Sequence, residues 1–340
     1  MRYKLLGNSG LRVSELCLGA MTFGEDWGWG ASKEESRRIF DAFADAGGNF
    51  VDTASNYTDG TSEKYVGEFV AADRGRIVVA TKYSLSSRKE DPNAGGNHRK
   101  NLMQSLEASL RRLQTDYIDL YFLHMWDYAT PIEEVMRALD DAVRAGKILY
   151  AGISDTPAWV VAQANTMADL RGWTRFAALQ APYSLADRAV ERDLLPMAQA
   201  FGMAVTPWGL LEAGELTGKY NAASAEPRRS QDTSDKIKAL AALLMTLAAE
   251  IGRTPSQVAI NWARQQPSRT PIIPILGART EKQMRDNLGC LEFDLTLEQM
   301  RRLSAASPIN LGFPHSFLHS DHVRGLIFGE TYPLLDNHRR

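Results

Sequence analysis

A carboxylate, a phenol, an ammonium and an imidazole stand at or just past the ends of short apolar runs in this chain. Asp52 closes Asn49-Phe-Val-Asp52, which continues as Thr53-Ala-Ser-Asn-Tyr57. Lys82 closes Ile77-Val-Val-Ala-Thr-Lys82, and His124 closes Tyr117-Ile-Asp-Leu-Tyr-Phe-Leu-His124. Brought together, these side chains make a proton donor for a carbonyl oxygen. The Lys82 ammonium lowers the pKa of Tyr57 toward the working pH, Asp52 keeps Lys82 charged and oriented, and His124 offers a hydrogen bond to the substrate oxygen. A lysine leaving a buried strand needs a partner, because an unpaired buried charge is costly. The competing reading is a structural ion pair, a loop tyrosine and a core histidine, with no chemistry. Tyr57 or His124 alone reads that way; the four together favour catalysis.

The elements that must position them follow from the pattern of runs. After an opening hairpin around Gly7-Asn-Ser-Gly10, apolar runs occur at Leu16–Leu18, Phe50–Asp52, Ile77–Thr81, Ile118–Leu123, Tyr150–Ile153, Ala177–Gln180, Ala204–Thr206 and Ile272–Ile275. Helix signals separate them. Ser32 with Glu35 reads as a capping box, Gly47-Gly48 as a stop, and Thr156-Pro157 as a cap followed by a first helical residue. Asn97 is expected to open a helix reaching about Leu113. Eight runs alternating with helices predict a single α/β domain over 1–340, a (β/α)8 TIM barrel with an N-terminal hairpin. A doubly wound open sheet is the runner-up. The barrel is preferred because the reactive candidates end several different strands, whereas an open sheet gathers them at one switch point. No Gly-x-Gly-x-x-Gly follows the first run. The polar stretch from Glu212 to Asp235 reads as a loop over the barrel mouth. Residues 308–340 read as a C-terminal extension over the rim near the active-site face, with Phe313, Phe317, Phe328 and Tyr332 available to pack there.

Composition narrows the function further. The net charge is −2 and no basic block stands out, which argues against nucleic acid as a partner. The two cysteines, Cys17 and Cys290, are far apart and fit a reducing cytoplasm better than a disulfide framework. No apolar stretch is long enough for a transmembrane helix, and the amino terminus lacks a signal-peptide pattern. A cytoplasmic location without membrane attachment is expected. No His or carboxylate cluster has metal-ligand spacing, so no metal is expected.

The stretch Asp52-Thr-Ala-x-x-Tyr57, followed by Gly60 and Ser62-Glu63, resembles the signature of the aldo-keto reductases. Thr81-Lys82 and Leu123-His124 stand where that family keeps its other two catalytic residues, and the resemblance runs from about Tyr3 to Leu288. It implies an NAD(P)-dependent oxidoreductase, with NADP(H) favoured over NADH. Gly152-Ile-Ser154-Asp155 is similar to the family's Gly-Val-Ser-Asn, whose Ser and Asn hold the nicotinamide carboxamide. Asp155 in place of Asn accepts from the amide but cannot donate to its carbonyl, and its charge favours the oxidised, cationic ring. A helix cap is its other reading. The resemblance makes Gln180 a third carboxamide contact and Trp208 the ring that stacks on the nicotinamide. Lys219 falls in a loop that the family lays over the pyrophosphate; its Gly-Lys is not a P-loop, since the spacing and the following Ser/Thr are missing. Gly277 and Arg279 fall where the family receives the adenosine phosphate, with Arg279 placed for a 2′-phosphate and Gln283 and Asn287 for the adenine.

The substrate pocket is drawn from Met21, Trp27 and Trp126, with Phe23, Trp29, Met125 and Tyr128 nearby in sequence. They suggest a roomy apolar cleft for an uncharged carbonyl or alcohol. The favoured function is a carbonyl reductase. The alternative is an NADPH-binding regulatory barrel resembling the family's potassium-channel β-subunits. A metal-dependent hydrolase on the same fold lacks its ligands. The oligomeric state is left open by the sequence.

Overall fold

Strands and helices alternate along the chain as the runs predict. The computed structural model describes residues 1–218 and 234–336. Lys219 and most of the Glu212–Asp235 stretch therefore lie outside the described residues. A hairpin, β1 (Tyr3–Leu5) and β2 (Arg12–Ser14), precedes β3 (Cys17–Gly19), α1 (Lys33–Asp45), β4 (Phe50–Asp52) and α2 (Thr61–Val70). Next come β5 (Val78–Tyr83), α3 (Arg99–Leu113), β6 (Ile118–Leu123), α4 (Ile132–Arg144), β7 (Ile148–Ser154), α5 (Ala158–Arg171), β8 (Phe176–Pro182) and α6 (Leu194–Ala200). The series continues with β9 (Ala204–Trp208), α7 (Asp235–Ile251), α8 (Pro255–Arg264), β10 (Ile275–Gly277), α9 (Glu281–Leu288) and α10 (Leu297–Ala306). Two short helices, α11 (His315–Leu318) and α12 (Asp321–Phe328), end it.

Eight parallel strands run in the order β10-β3-β4-β5-β6-β7-β8-β9 and curl into a nearly closed barrel ringed by helices. One proline explains how the seam differs from the sequence reading. The run Ile272–Ile275 is interrupted by Pro274, which has no N–H to give a ladder. Before it, the Ile273 amide donates to Val205 of β9 at 2.8 Å; after it, Ile275–Gly277 pairs with β3. One predicted strand thus becomes two short pieces serving opposite neighbours.

Side-chain parity divides the core. On β4, β5 and β6 the residues Phe50, Val78, Ala80, Leu120 and Phe122 point inward, joined by Cys17, Ala178 and Ala204, and the hairpin closes the floor with Leu6 and Val13. The intervening Val51, Val79 and Tyr121 pack outward against the helices. Phe122 fills the axis so fully that a Cβ on Gly152 would lie 2.5 Å from its ring, so the neighbouring strand carries glycine there. The same period of two puts Asp52, Lys82 and His124 on the inward register at the carboxyl ends of β4, β5 and β6. In a (β/α)8 barrel that end carries the site.

Helix boundaries shift slightly from the sequence reading. Ser32 caps α1, yet Glu35 does not complete the box; its carboxylate accepts from the Glu281 amide at 2.6 Å instead. The Thr156 hydroxyl donates back to the Ser154 carbonyl, so Pro157 occupies the cap position of α5. His98, rather than Asn97, caps α3. Among the described residues no helix is long and apolar enough to cross a membrane.

Candidate active site

Lys82 is fully buried, and its ammonium has three hydrogens to place. They go to the Asp52 carboxylate at 2.6 Å, the Thr53 carbonyl at 2.8 Å and the Tyr57 oxygen at 3.1 Å. Every donor is used. Burial is the largest influence and works against its charge, but the Asp52 carboxylate and the Tyr57 oxygen together outweigh it and hold the ammonium pKa above the ordinary value. The second Asp52 oxygen accepts from the Gln180 amide at 3.0 Å. Removing one partner from a buried pair of this kind costs about 3–5 kcal/mol. Burial raises the Tyr57 phenol above its ordinary value, and the Lys82 charge offsets only part of that rise, so the expected lowering toward working pH is outweighed by burial. Because the Tyr57 oxygen accepts from Lys82, its own proton remains available to a group in the cleft.

His124 continues the inward register of β6, its amide donating to the Tyr83 carbonyl at 2.9 Å. Its ring meets Tyr57 edge-on, with centroids 5.9 Å apart. Burial, reinforced by the Lys82 charge, pushes its pKa down to about 3, so the imidazole is neutral at working pH. Its Nδ1 is buried without a partner among the described residues.

Tyr57 sits on a short turn whose next two residues adopt left-handed backbone, Thr58 at φ 45° and Asp59 at φ 54°. Such conformations persist only where surroundings fix them. The Thr58 hydroxyl donates to the Phe23 carbonyl at 2.6 Å and accepts from the Ser62 amide at 3.0 Å. The Ser62 hydroxyl donates to the Ala20 carbonyl at 2.7 Å, so the Thr53 hydroxyl, also 2.7 Å away, is the donor to Ser62. Behind them the buried Glu63 accepts from Thr81 and from Arg112, both at 2.5 Å. Thr81 directly precedes Lys82, so this carboxylate joins the Tyr57 turn to the lysine strand. The Ser62-Glu63 pair is visible in the sequence, but only its placement reveals this bracing.

A cleft of about 900 Å³ extends from Tyr57 to the turn after β10. Asp52, Tyr57 and His124 line its deep end, and Met21, Trp27, Leu85 and Met125 form an apolar wall there. The Trp27 indole donates to Asp59 at 3.3 Å, tying the wall to the Tyr57 turn. Asp155, Gln180 and Trp208 line the middle, and Gly277, Arg279, Gln283 and Asn287 the far end. Ser154 is buried just beneath, its hydroxyl without a hydrogen-bond partner among the described residues. Asp155 has left-handed backbone at φ 38° and does not cap α5. Burial raises its carboxyl pKa, and the Lys82 charge pulls the other way.

At the far end the Gln283 side chain accepts from the Arg279 amide at 2.8 Å, and Asn287 donates to the Gly277 carbonyl at 3.3 Å. No hydrogen bond or ion pair engages the Arg279 guanidinium among the described residues. Four of the residues expected in or beside the pocket, Phe23, Trp29, Trp126 and Tyr128, do not line the cleft. Trp126 lines a separate pocket of about 340 Å³ with Ile132 and Trp159, and Phe23 is buried against Phe69. Sequence reasoning missed Leu85 and Asn56, loop residues that carry no periodic signal, and Asp286 of α9, all in the cleft wall.

Comparison with known proteins agrees with this geometry. Residues 15–308 match the model of the Aldo/keto reductase family. Norsolorinic acid reductase stcV of Emericella nidulans is 39% identical over 321 residues, covering 91% of this chain and 82% of that protein. An aryl-alcohol dehydrogenase of Phanerodontia chrysosporium, named for NADP(+), is 39% identical over 342 residues, covering 92% and 87%. The putative aryl-alcohol dehydrogenase AAD14 of Saccharomyces cerevisiae is 37% identical over 335 residues, covering 92% and 88%. A barrel whose strand ends gather a phenol, an ammonium and a carboxylate, and a family match spanning nearly all of that barrel, lead to one conclusion: the chain belongs to the aldo-keto reductase family and is an oxidoreductase.

Proposed function

We propose that the protein reduces aromatic aldehydes or ketones to alcohols with NADPH, and runs the reverse oxidation with the same residues. The observation that carries this reading is the hydrogen bond from Lys82 to the Tyr57 oxygen, 3.1 Å long, made by an ammonium with no donor left over. The phenol proton is thereby free for a carbonyl oxygen, and the tyrosinate left after transfer already faces a positive charge. Neutral His124 orients that oxygen from the side. Asp52, held by both Lys82 and Gln180, keeps the ammonium charged throughout.

The cleft suits a dinucleotide. Ser154 presents a buried hydroxyl without a partner, Gln180 retains its carbonyl oxygen for a ligand amide, and Trp208 offers a half-exposed ring face. Arg279 brings an unengaged guanidinium to the far end, which supports NADPH, as does the NADP(+) in one relative's name. When bound, the reduced cofactor supplies a hydride to the carbonyl carbon. Asp155 sets a negative charge near the nicotinamide position and favours the oxidised form. The Met21, Trp27, Leu85 and Met125 wall excludes water and receives a flat apolar body, in keeping with the aryl alcohols named for two relatives. Purified protein should oxidise NADPH in the presence of benzaldehyde-type substrates and act more weakly with short aliphatic aldehydes. No turnover of any carbonyl or alcohol with either nicotinamide cofactor would remove this reading.

A further inference from the structure

Of the nineteen large hydrophobic residues that are exposed among the described residues, eight fall between 313 and 335. That density marks the C-terminal segment off from the rest of the surface. Its elements pack mainly on one another: Phe313 lies 6.1 Å from Phe317, and Phe328 lies 5.1 Å from Tyr332, ring to ring. No residue of the segment belongs to either core of the barrel, and none lines the cleft. The segment leaves the barrel at the rim, where Arg188 donates to the Ser304 and Ser307 carbonyls and Arg192 to the Asn310 carbonyl. Beyond that rim anchorage the aromatics of the segment leave an outward apolar surface.

Helix α12 shows the pattern most clearly. Val323, Leu326 and Ile327 share one face by their three- and four-residue spacing. Val323 is buried, yet Leu326 is 71% and Ile327 59% exposed. With Phe313, Phe317, Phe328 and Leu334 the segment presents on the order of 700 Å² of apolar residue surface, taking 150–250 Å² for each full aromatic. A single monomer rarely shows a contiguous patch above about 300–600 Å². A standard interface takes about 800 Å² from each partner, so this surface matches one side of it.

We propose that this segment is a self-association surface, covered by the same segment of a second copy of the chain in a two-fold dimer. An isologous contact needs a patch that is its own complement, and a charge-poor apolar face satisfies that without matched ions. Formal charges are few there, Asp321, Arg324, Glu330 and Asp336, and Arg324 pairs with Asp321 at 3.3 Å within the segment itself. A helix lying on a lipid surface instead carries a basic polar face, and α12 has one arginine beside one aspartate.

Light scattering of the full chain at micromolar concentration should give the mass of two chains. The triple variant Phe317→Glu, Leu326→Glu, Ile327→Glu should give the mass of one, with the same far-UV circular dichroism, since these residues lie outside both cores, and with a thermal midpoint that no longer depends on protein concentration. A labelling test does not depend on that variant. Cys17 and Cys290 are both buried, so Leu326→Cys adds one accessible thiol. Its maleimide reaction should slow at least tenfold as concentration rises into the dimer range. A wild-type mass of one chain, a triple variant that remains a dimer, or a thiol labelled at the same rate at every concentration would overturn the proposal. A single-chain protein that pellets with phosphatidylserine vesicles would assign the face to lipid instead.

Discussion

Arg279→Ala tests how the far end of the cleft reads the cofactor. The Arg279 side chain lines the cleft and engages no carboxylate among the described residues. Its backbone amide is held separately by Gln283 at 2.8 Å, and Thr280 caps α9, so removing the side chain leaves the turn intact. The 2′-phosphate that distinguishes NADPH from NADH is an anion matched to a planar guanidinium. A hydrogen bond to a charged group contributes about 1.5–3 kcal/mol. At about 1.4 kcal/mol per decade, the variant should raise the NADPH dissociation constant roughly ten- to a hundredfold and leave NADH nearly unchanged. Fluorescence titration of wild type and variant with both cofactors measures this directly. The contact is charge-assisted, so the gap between the cofactors should also narrow as salt is raised. Equal weakening of both cofactors would show that Arg279 supports the turn and does not recognise the phosphate. No change in either would place the phosphate elsewhere, with Lys219 and Arg285 the next candidates.

Lys82→Met removes the charge that pulls the Tyr57 pKa down against burial, so that pKa should rise further. The alkaline limb of alcohol oxidation, which needs tyrosinate, should then move to higher pH; an unshifted profile would show that Lys82 does not tune the phenol. The folded Lys82 pKa is raised above 10.5, so its contribution is full below 10.5 and is lost as pH rises through the higher folded value. Asp155→Asn removes a negative charge near the nicotinamide position, and the preference for NADP+ over NADPH should fall by roughly tenfold, or about 1.4 kcal/mol. In the wild type the same preference should weaken as pH drops through the raised Asp155 pKa; equal ratios in both proteins would leave Asp155 a structural role only.

The strand ends were legible because two simple signals coincide there. Apolar runs located β4, β5 and β6, and their period of two put Asp52, Lys82 and His124 on one register with Phe50, Ala80 and Phe122. Contacts between distant segments were not legible. Gln180 reaches Asp52 across 128 positions, and nothing local to either residue announces it. The split of the last strand was present in Pro274, whose missing amide forbids a continuous ladder. Trp126 was misplaced for a different reason. Asp127 accepts from the Asn97, Ala129 and Thr130 amides and turns the chain there, with Trp126 facing the separate pocket rather than the cleft. Aromatic content after a strand identifies a rim residue, but not which side of the rim it faces.

Tyr57→Phe tests the central assignment most directly. The change removes one oxygen, the atom that accepts from Lys82, and leaves the ring that meets His124. Positioned proton transfer contributes about 10²–10⁴-fold to such a reaction. Single-turnover reduction of an aromatic aldehyde by the purified variant should therefore slow by at least that factor, while NADPH binding, followed by fluorescence, keeps its wild-type dissociation constant. A hydride-transfer rate within a few-fold of wild type, with binding intact, would contradict the account.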